Sequence, residues 1–298
     1  MNTSKLLNLI LTTVLVLVFS NSSFSQKLEP KKRLLEPDHT ITSKILDKAF
    51  ELFISFPKSY TTNDTITYPV LYVLDGGFSF RTLQGAHNFL SIDGTIENVI
   101  IVGINSNTNG PTGRSYDYTI SSDTIANRSM DEYYGLPKGS FKTGGAEKFL
   151  KSIKTEIIPF IDKNYKTNND RGISGHSLGG LFTSYCLINS DGYFTRFGIH
   201  SPILSWNKEE LLNQAFKKNE NSYASEIEWN IPPTKVFVSV GKLEGLGMIP
   251  AMTKLKTYLE DLNSDKIDLE WYVFENEKHF SVISANLSRT LSVLYGKK

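Results

Sequence analysis

The sequence predicts an α/β fold, a mostly parallel central sheet with helices on both faces. Three observations carry that prediction. Short, near-continuous apolar runs such as residues 68–74 (Tyr-Pro-Val-Leu-Tyr-Val-Leu) and 98–104 read as strands buried on both sides. These runs alternate with longer stretches of helical periodicity, the pattern of strand–helix–strand units. The turn Gly175-His176-Ser177-Leu178-Gly179 lies between a short strand-like lead-in and an apolar helix-like run over 178–188.

Bulk numbers bound the rest. The chain has 298 residues, 40% hydrophobic and 21% charged, with a net charge of +1. That is an ordinary globular composition, long enough for one large α/β domain or two small ones. Near-neutral charge gives no electrostatic case for nucleic acid or an anionic membrane surface. The single cysteine, Cys186, excludes an intramolecular disulfide and reads as a small buried residue.

Residues 1–25 read as a secretory signal peptide. Lys5 supplies the positive start, residues 6–19 the apolar run, and Ser23-Phe24-Ser25 the small residues before a cut at Gln26. The run is short for a membrane span. A periplasmic or secreted protein, with no stable membrane insertion after cleavage, is the expectation.

Residues 26–43, with Pro30 and Pro37, read as a charged lead-in to a domain spanning 44–298. Residues 44–57 partly alternate apolar and polar, as a half-buried strand does. The strand at 68–74 ends in Asp75-Gly76-Gly77-Phe78, where glycines allow close approach to a ligand, and a helix is expected over 80–89. Residues 105–145 are polar and glycine-rich with little periodicity, and read as a long loop, a lid or binding segment. A helix follows over 146–165, bent at Pro159. After the Ser177 turn come strands at 194–199, 234–240 and 269–274, with helices at 208–218, 248–262 and 281–295. No internal repeat, metal-ligand spacing or phosphate loop is present, and no cofactor is expected.

A serine hydroxyl needs a base near neutral pKa and a group to orient that base. Of five histidines, His39 lies in the lead-in and His87 on an early helix. His176 adjoins Ser177, where the sharp turn is expected to point its side chain elsewhere. His200 ends a strand and is a candidate to line the site. His279 follows the last strand and fits the order nucleophile, acid, histidine. The acid then lies after the penultimate strand, where Glu244 stands; Asp265, Asp268 and Glu275 are rivals. Oxyanion donors are expected from the backbone N–H of Leu178 and of Gly77, with Phe78 as the runner-up.

With these residues in place the chain resembles the Putative esterase family of α/β-hydrolases, which includes siderophore esterases, esterase D, feruloyl esterases and mycolyltransferases. The resemblance rests on 69–76 (Pro-Val-Leu-Tyr-Val-Leu-Asp-Gly), Arg114-x-x-Asp117-Tyr118-Thr119, Gly144-Gly145-Ala146, Gly175-His176-Ser177-Leu178-Gly179-Gly180, Ser201-Pro202, and Glu244 before His279. It implies an α/β-hydrolase fold and serine-dependent hydrolysis of a small-molecule ester, and is nearest to siderophore esterases. It also implies substrate contacts at Arg114 and Asp117, with Trp206 and Phe78 on the substrate side. Two departures, Tyr-Thr-Ile after Asp117 and a single tryptophan at 206, fall on that side. Acyl transfer, a sugar-linked acetyl or feruloyl ester, and non-catalytic binding stay open as alternatives.

Overall fold

The computed structural model describes residues 35–61, 65–106, 111–221, 232–245, 247–262 and 265–297. The predicted signal peptide lies outside these residues. Eight strands among them form one sheet: β1 (His39–Ser43), β2 (Lys48–Ser55), β3 (Tyr68–Leu74), β4 (Ile100–Ser106), β5 (Thr167–His176), β6 (Arg196–His200), β7 (Thr234–Gly241) and β8 (Ile267–Phe274). Their order is β1-β2-β4-β3-β5-β6-β7-β8. β1–β2 and β2–β4 pair antiparallel, and all other pairs are parallel. This is an α/β-hydrolase fold.

The helices are α1 (Gly76–Ile92), α2 (Pro111–Tyr118), α3 (Thr124–Tyr133), α4 (Ala146–Ser152), α5 (Ile158–Asn164), α6 (Leu178–Asn189), α7 (Trp206–Asn221), α8 (Met248–Asp261) and α9 (Val282–Tyr295). Among the described residues none is long and apolar enough to cross a membrane.

Strand alternation sorts the sheet residues into two layers. Val70, Tyr72, Leu74, Ile173, Phe197, Ile199, Val236 and Val238 join one apolar cluster with Phe149, Ile153, Ile157, Leu181, Phe182 and Leu255 from α4, the turn after it, α6 and α8. The residues between them in sequence face α1 and α9, where Leu71, Phe80, Leu83, Phe237 and Leu291 are buried.

Three segments differ from their sequence reading. β1 begins inside the stretch read as lead-in. It is a five-residue edge strand of alternating burial, too short for its period to stand out after Pro37. The 105–145 stretch is not one long loop, because it folds α2 and α3. α3 is capped by the Asp123 carboxylate, which accepts from the Ile125 and Ala126 N–H groups. The helix at 146–165 is interrupted rather than simply bent. Pro159 has no N–H to donate back, and residues 153–157 widen into a π-helical turn in which Ile158 N–H donates to the Ile153 carbonyl.

α2 is tied to the sheet by a buried ion pair. Lys48 Nζ on β2 lies 2.5 Å from both Asp117 oxygens and 3.4 Å from the Gly113 carbonyl. Asp117 is 1% exposed, so the residue expected to touch substrate is instead an internal anchor. Burial pushes its carboxyl up to about 6, against the pull of Lys48. Lys48→Met is expected to destabilise the fold by about 3 kcal/mol, because it leaves Asp117 buried without its cation. Adding Asp117→Asn should recover part of the loss, read as the shift in the urea midpoint.

Candidate active site

β5 ends at His176 and α6 begins at Leu178, so Ser177 makes the turn alone, at φ 63° and ψ −119°. That conformation is strained for a side chain with a Cβ, and the surroundings hold it. Ser177 N–H donates to the His200 carbonyl at 3.0 Å, and its own carbonyl accepts from Leu181 N–H at 3.0 Å. A Cβ on Gly175 would lie 2.4 Å from the Gly179 carbonyl oxygen, and one on Gly180 would lie 2.6 Å from that of His200. Gly179 itself has more room, its nearest contact being 3.4 Å. The close-packed glycines of the turn are therefore 175 and 180.

The loops after β7 and β8 lie against each other. Leu243 N–H donates to the Glu277 carbonyl at 2.9 Å and Lys242 N–H to that of Phe274 at 2.8 Å. Glu244 sits in the first loop and His279 in the second. Glu244 Oε2 lies 2.6 Å from His279 Nδ1, and His279 Nε2 lies 3.0 Å from Ser177 Oγ. Glu244 Oε1 accepts from the Ser201 hydroxyl at 2.6 Å and from Gly241 N–H at 2.7 Å. Burial alone would raise the Glu244 carboxyl, but donation from His279, Ser201 and Gly241 outweighs it and holds the group below its usual range. Of the rival acids, Glu275 pairs instead with Lys242 at 2.5 Å.

Leu178 is the first residue of α6 and Gly77 the second of α1, in first turns where backbone N–H groups have no intrahelical acceptor. The runner-up donor is occupied: Phe78 N–H donates to the Asp75 carbonyl at 2.9 Å. A Cβ on Gly76 would lie 2.7 Å from the Gly103 backbone, so the tight start of α1 needs glycine there; one on Gly77 would meet only the end of the Asn105 side chain, at 2.9 Å.

A cleft of about 480 Å3 opens over Ser177 and is lined by Asp75, Phe78, Arg114, Tyr118, His176 and Phe280 among others. Arg114 holds Asp75 in a fork, at 2.7 and 3.0 Å, and its Nη2 also reaches the His176 carbonyl at 3.3 Å. Phe78 and Phe280 are 71% and 75% exposed at the rim. Trp206 does not line this cleft. It opens α7 and packs against the apolar cluster.

Two histidines differ from expectation. His176 does line the cleft, its ring 4.6 Å from that of His279. β5 runs to residue 176, and strand alternation turns this side chain inward. His200 does not line the cleft. It is buried, 2.7 Å from both Ser239 Oγ and Thr290 Oγ1. Burial pushes its pKa down to about 3. Asp75, Tyr118, Phe280 and Ser201 were not singled out as site residues. Asp75 carried the available signal, as a polar residue at a strand's C-terminal end. Among the described residues no group of three or more His, Cys, Asp or Glu is placed to hold a metal ion.

Known proteins match this architecture. A family model described as "Putative esterase" matches residues 43–260. The ferri-bacillibactin esterase BesA of Bacillus subtilis is 29% identical over 265 residues, covering 84% of this chain and 86% of the relative. The apo-salmochelin esterase of Escherichia coli is 25% identical over 241 residues, covering 80% and 72%. The crystal structure of BES protein from Bacillus cereus superposes with a TM-score of 0.74 at 29% identity, covering 91% of this chain and all of that one.

Because the folded state holds the Glu244 carboxyl low, its ionised form stabilises the fold above the ordinary carboxylate pKa. That contribution is lost as pH falls through the depressed value. Denaturant midpoints between about pH 6 and pH 3 should therefore drop more steeply for the native chain than for Glu244→Gln.

Proposed function

We propose that this chain, which belongs to the Putative esterase family of the α/β-hydrolase superfamily and is a serine esterase, cleaves the ester bonds of a siderophore, a triscatecholate lactone. Ser177 Oγ attacks the acyl carbon. His279 Nε2 takes the serine proton and returns it to the leaving alkoxide. Glu244 keeps the other ring nitrogen protonated and stabilises the imidazolium. The N–H groups of Leu178 and Gly77 receive the oxyanion. Water then repeats the sequence on the acyl-enzyme.

The observation that carries the catalytic assignment is the unbroken chain of contacts from Glu244 through His279 to Ser177, at 2.6 and 3.0 Å. The substrate reading is supported by relatives named as esterases of ferri-bacillibactin and apo-salmochelin. It is supported too by the exposed rings of Phe78 and Phe280 beside Ser177, which offer flat surfaces to aryl groups. The signal-like residues 1–25 support export, and hence hydrolysis in the periplasm or outside the cell.

The test is turnover of a triscatecholate lactone by the mature chain, beside aryl esters and acylated sugars, with fluorophosphonate labelling mapped to a peptide. Label should fall on Ser177. Ser177→Ala should lower kcat by on the order of a million-fold while the chain stays folded. Turnover of acylated sugars far above that of the lactone would overturn the substrate assignment. Near-normal turnover by Ser177→Ala would overturn the catalytic one.

A further inference from the structure

Behind the Ser177 turn is a small internal cavity of about 10 Å3, lined by Ser174, His176, His200 and Asn286 amid apolar residues such as Val73 and Leu287. Its size suits a single water molecule, which also needs two to four polar partners. Those partners are present. Ser174 Oγ and Asn286 Nδ2 are buried without a hydrogen-bond partner among the described residues, and so are the ring nitrogens of His176 apart from a pull from the His279 backbone. Ser174 and Asn286 are each 1% exposed. Glycine at 198 clears the space, since a Cβ there would lie 2.6 Å from Ser174 Oγ.

The neighbouring groups are satisfied by one another. Ser239 Oγ lies 2.7 Å from both the Asn286 amide and His200 Nδ1. Thr290 Oγ1 lies 2.7 Å from both His200 Nε2 and the Asn286 backbone carbonyl. With one atom of its amide engaged by Ser239, Asn286 turns the other to the cavity.

We propose that this cavity holds one ordered water joining Ser174 and His176 on β5 to Asn286 on α9, and that His176, steadied by it, is a positioning residue for His279. The inference rests on His279 being the general base. β5 carries Ser177, and α9 starts three residues after His279, so the water links the two elements whose spacing sets the Ser177–His279 contact. The His279 ring lies between two others: His176 at 4.6 Å with 44° between planes, and Phe280 at 5.3 Å with 76°. That packing restricts the imidazole to the orientation that serves Ser177. The groups acting on His176 are His279, Glu244, Arg114 and, from β6, His200. Burial, with His279 adding to it, lowers the His176 pKa to about 4. At neutral pH the ring is therefore uncharged and does not oppose the imidazolium formed at His279.

The test compares kcat and KM of the full mature chain for an aryl ester in His176→Ala, His176→Phe and Ser174→Ala. A misplaced base costs rate rather than affinity. His176→Ala should lower kcat by roughly tenfold to a hundredfold with KM within about twofold. His176→Phe keeps a flat ring against His279 and should regain most of the loss. Ser174→Ala, with one water ligand removed, should fall between. A high-resolution crystal structure should show one water within about 3.2 Å of Ser174 Oγ and of the Asn286 amide. Density showing an empty cavity would overturn the water. A His176→Ala kcat within twofold of the native value, with His279→Ala inactive, would overturn the positioning role alone. An active His279→Ala would instead overturn the general-base reading beneath it.

Discussion

Glu244 is a carboxylate with almost no water around it, its side chain 1% exposed, and the geometry of the site follows from satisfying it. A buried charge is tolerated only when its lone pairs are filled. Three donors do this: His279 from the loop after β8, Ser201 from the end of β6, and Gly241 N–H from the end of β7. Ser201 takes a left-handed backbone, φ 40°, where its hydroxyl meets the carboxylate. With Nδ1–H committed to Glu244, the lone pair of His279 is on Nε2, facing Ser177. The buried charge thus sets both the orientation and the tautomer of the ring.

The parallel register brings these loops to one line. His176 pairs with His200, and His200 pairs with Ser239, across three neighbouring strands. One residue further on, the same strands deliver Ser177, Ser201 and Val240, the last just before Gly241. The row before the turn is polar and turned toward α9; the next row carries Ser177 and a carboxylate donor. α1 and α6 begin at this same end of the sheet, from β3 and β5, so their free N–H groups face the cleft. An antiparallel arrangement of β5 through β8 would scatter these residues between two ends.

Much of this was legible in the sequence because it depends on local pattern. β3 occupies the apolar run 68–74, and the elbow stands at Ser177. Glu244 and His279 follow from chain order once strands are known to alternate with helices. What was not legible depends on distant partners. α2 and α3 are short and polar, and α2 is held by Lys48 and by the Arg114–Asp75 fork, from residues far away in sequence. The Arg114-x-x-Asp117 spacing marks a motif, but not that one end points into the cleft while the other is buried under it. The sequence pattern opens the turn at Gly175, before β5 ends at His176, and so points His176 the wrong way. As the last residue of β5 it obeys strand alternation, and it shares a face with Ser174.

Floor and rim of the cleft obey different constraints. On the floor, Glu244, Ser201, Gly241 and the Ser177 turn each fill a specific hydrogen bond, and a change at one leaves a buried partner unsatisfied. At the rim, Phe78 and Phe280 stand mostly in solvent. Covering an aromatic ring is worth roughly 1.5–3 kcal/mol, so two uncovered rings add little to the fold and leave that gain to the aryl group of the proposed substrate. Replacing either ring breaks no buried hydrogen bond. On the proposed function, the fold holds the chemistry fixed from several strands at once and leaves substrate choice to side chains that can change without disturbing it. On that division, the departures after Asp117 and at Trp206 carry little weight for substrate. Asp117 is an anchor and Trp206 packs on the core, so neither forms the rim.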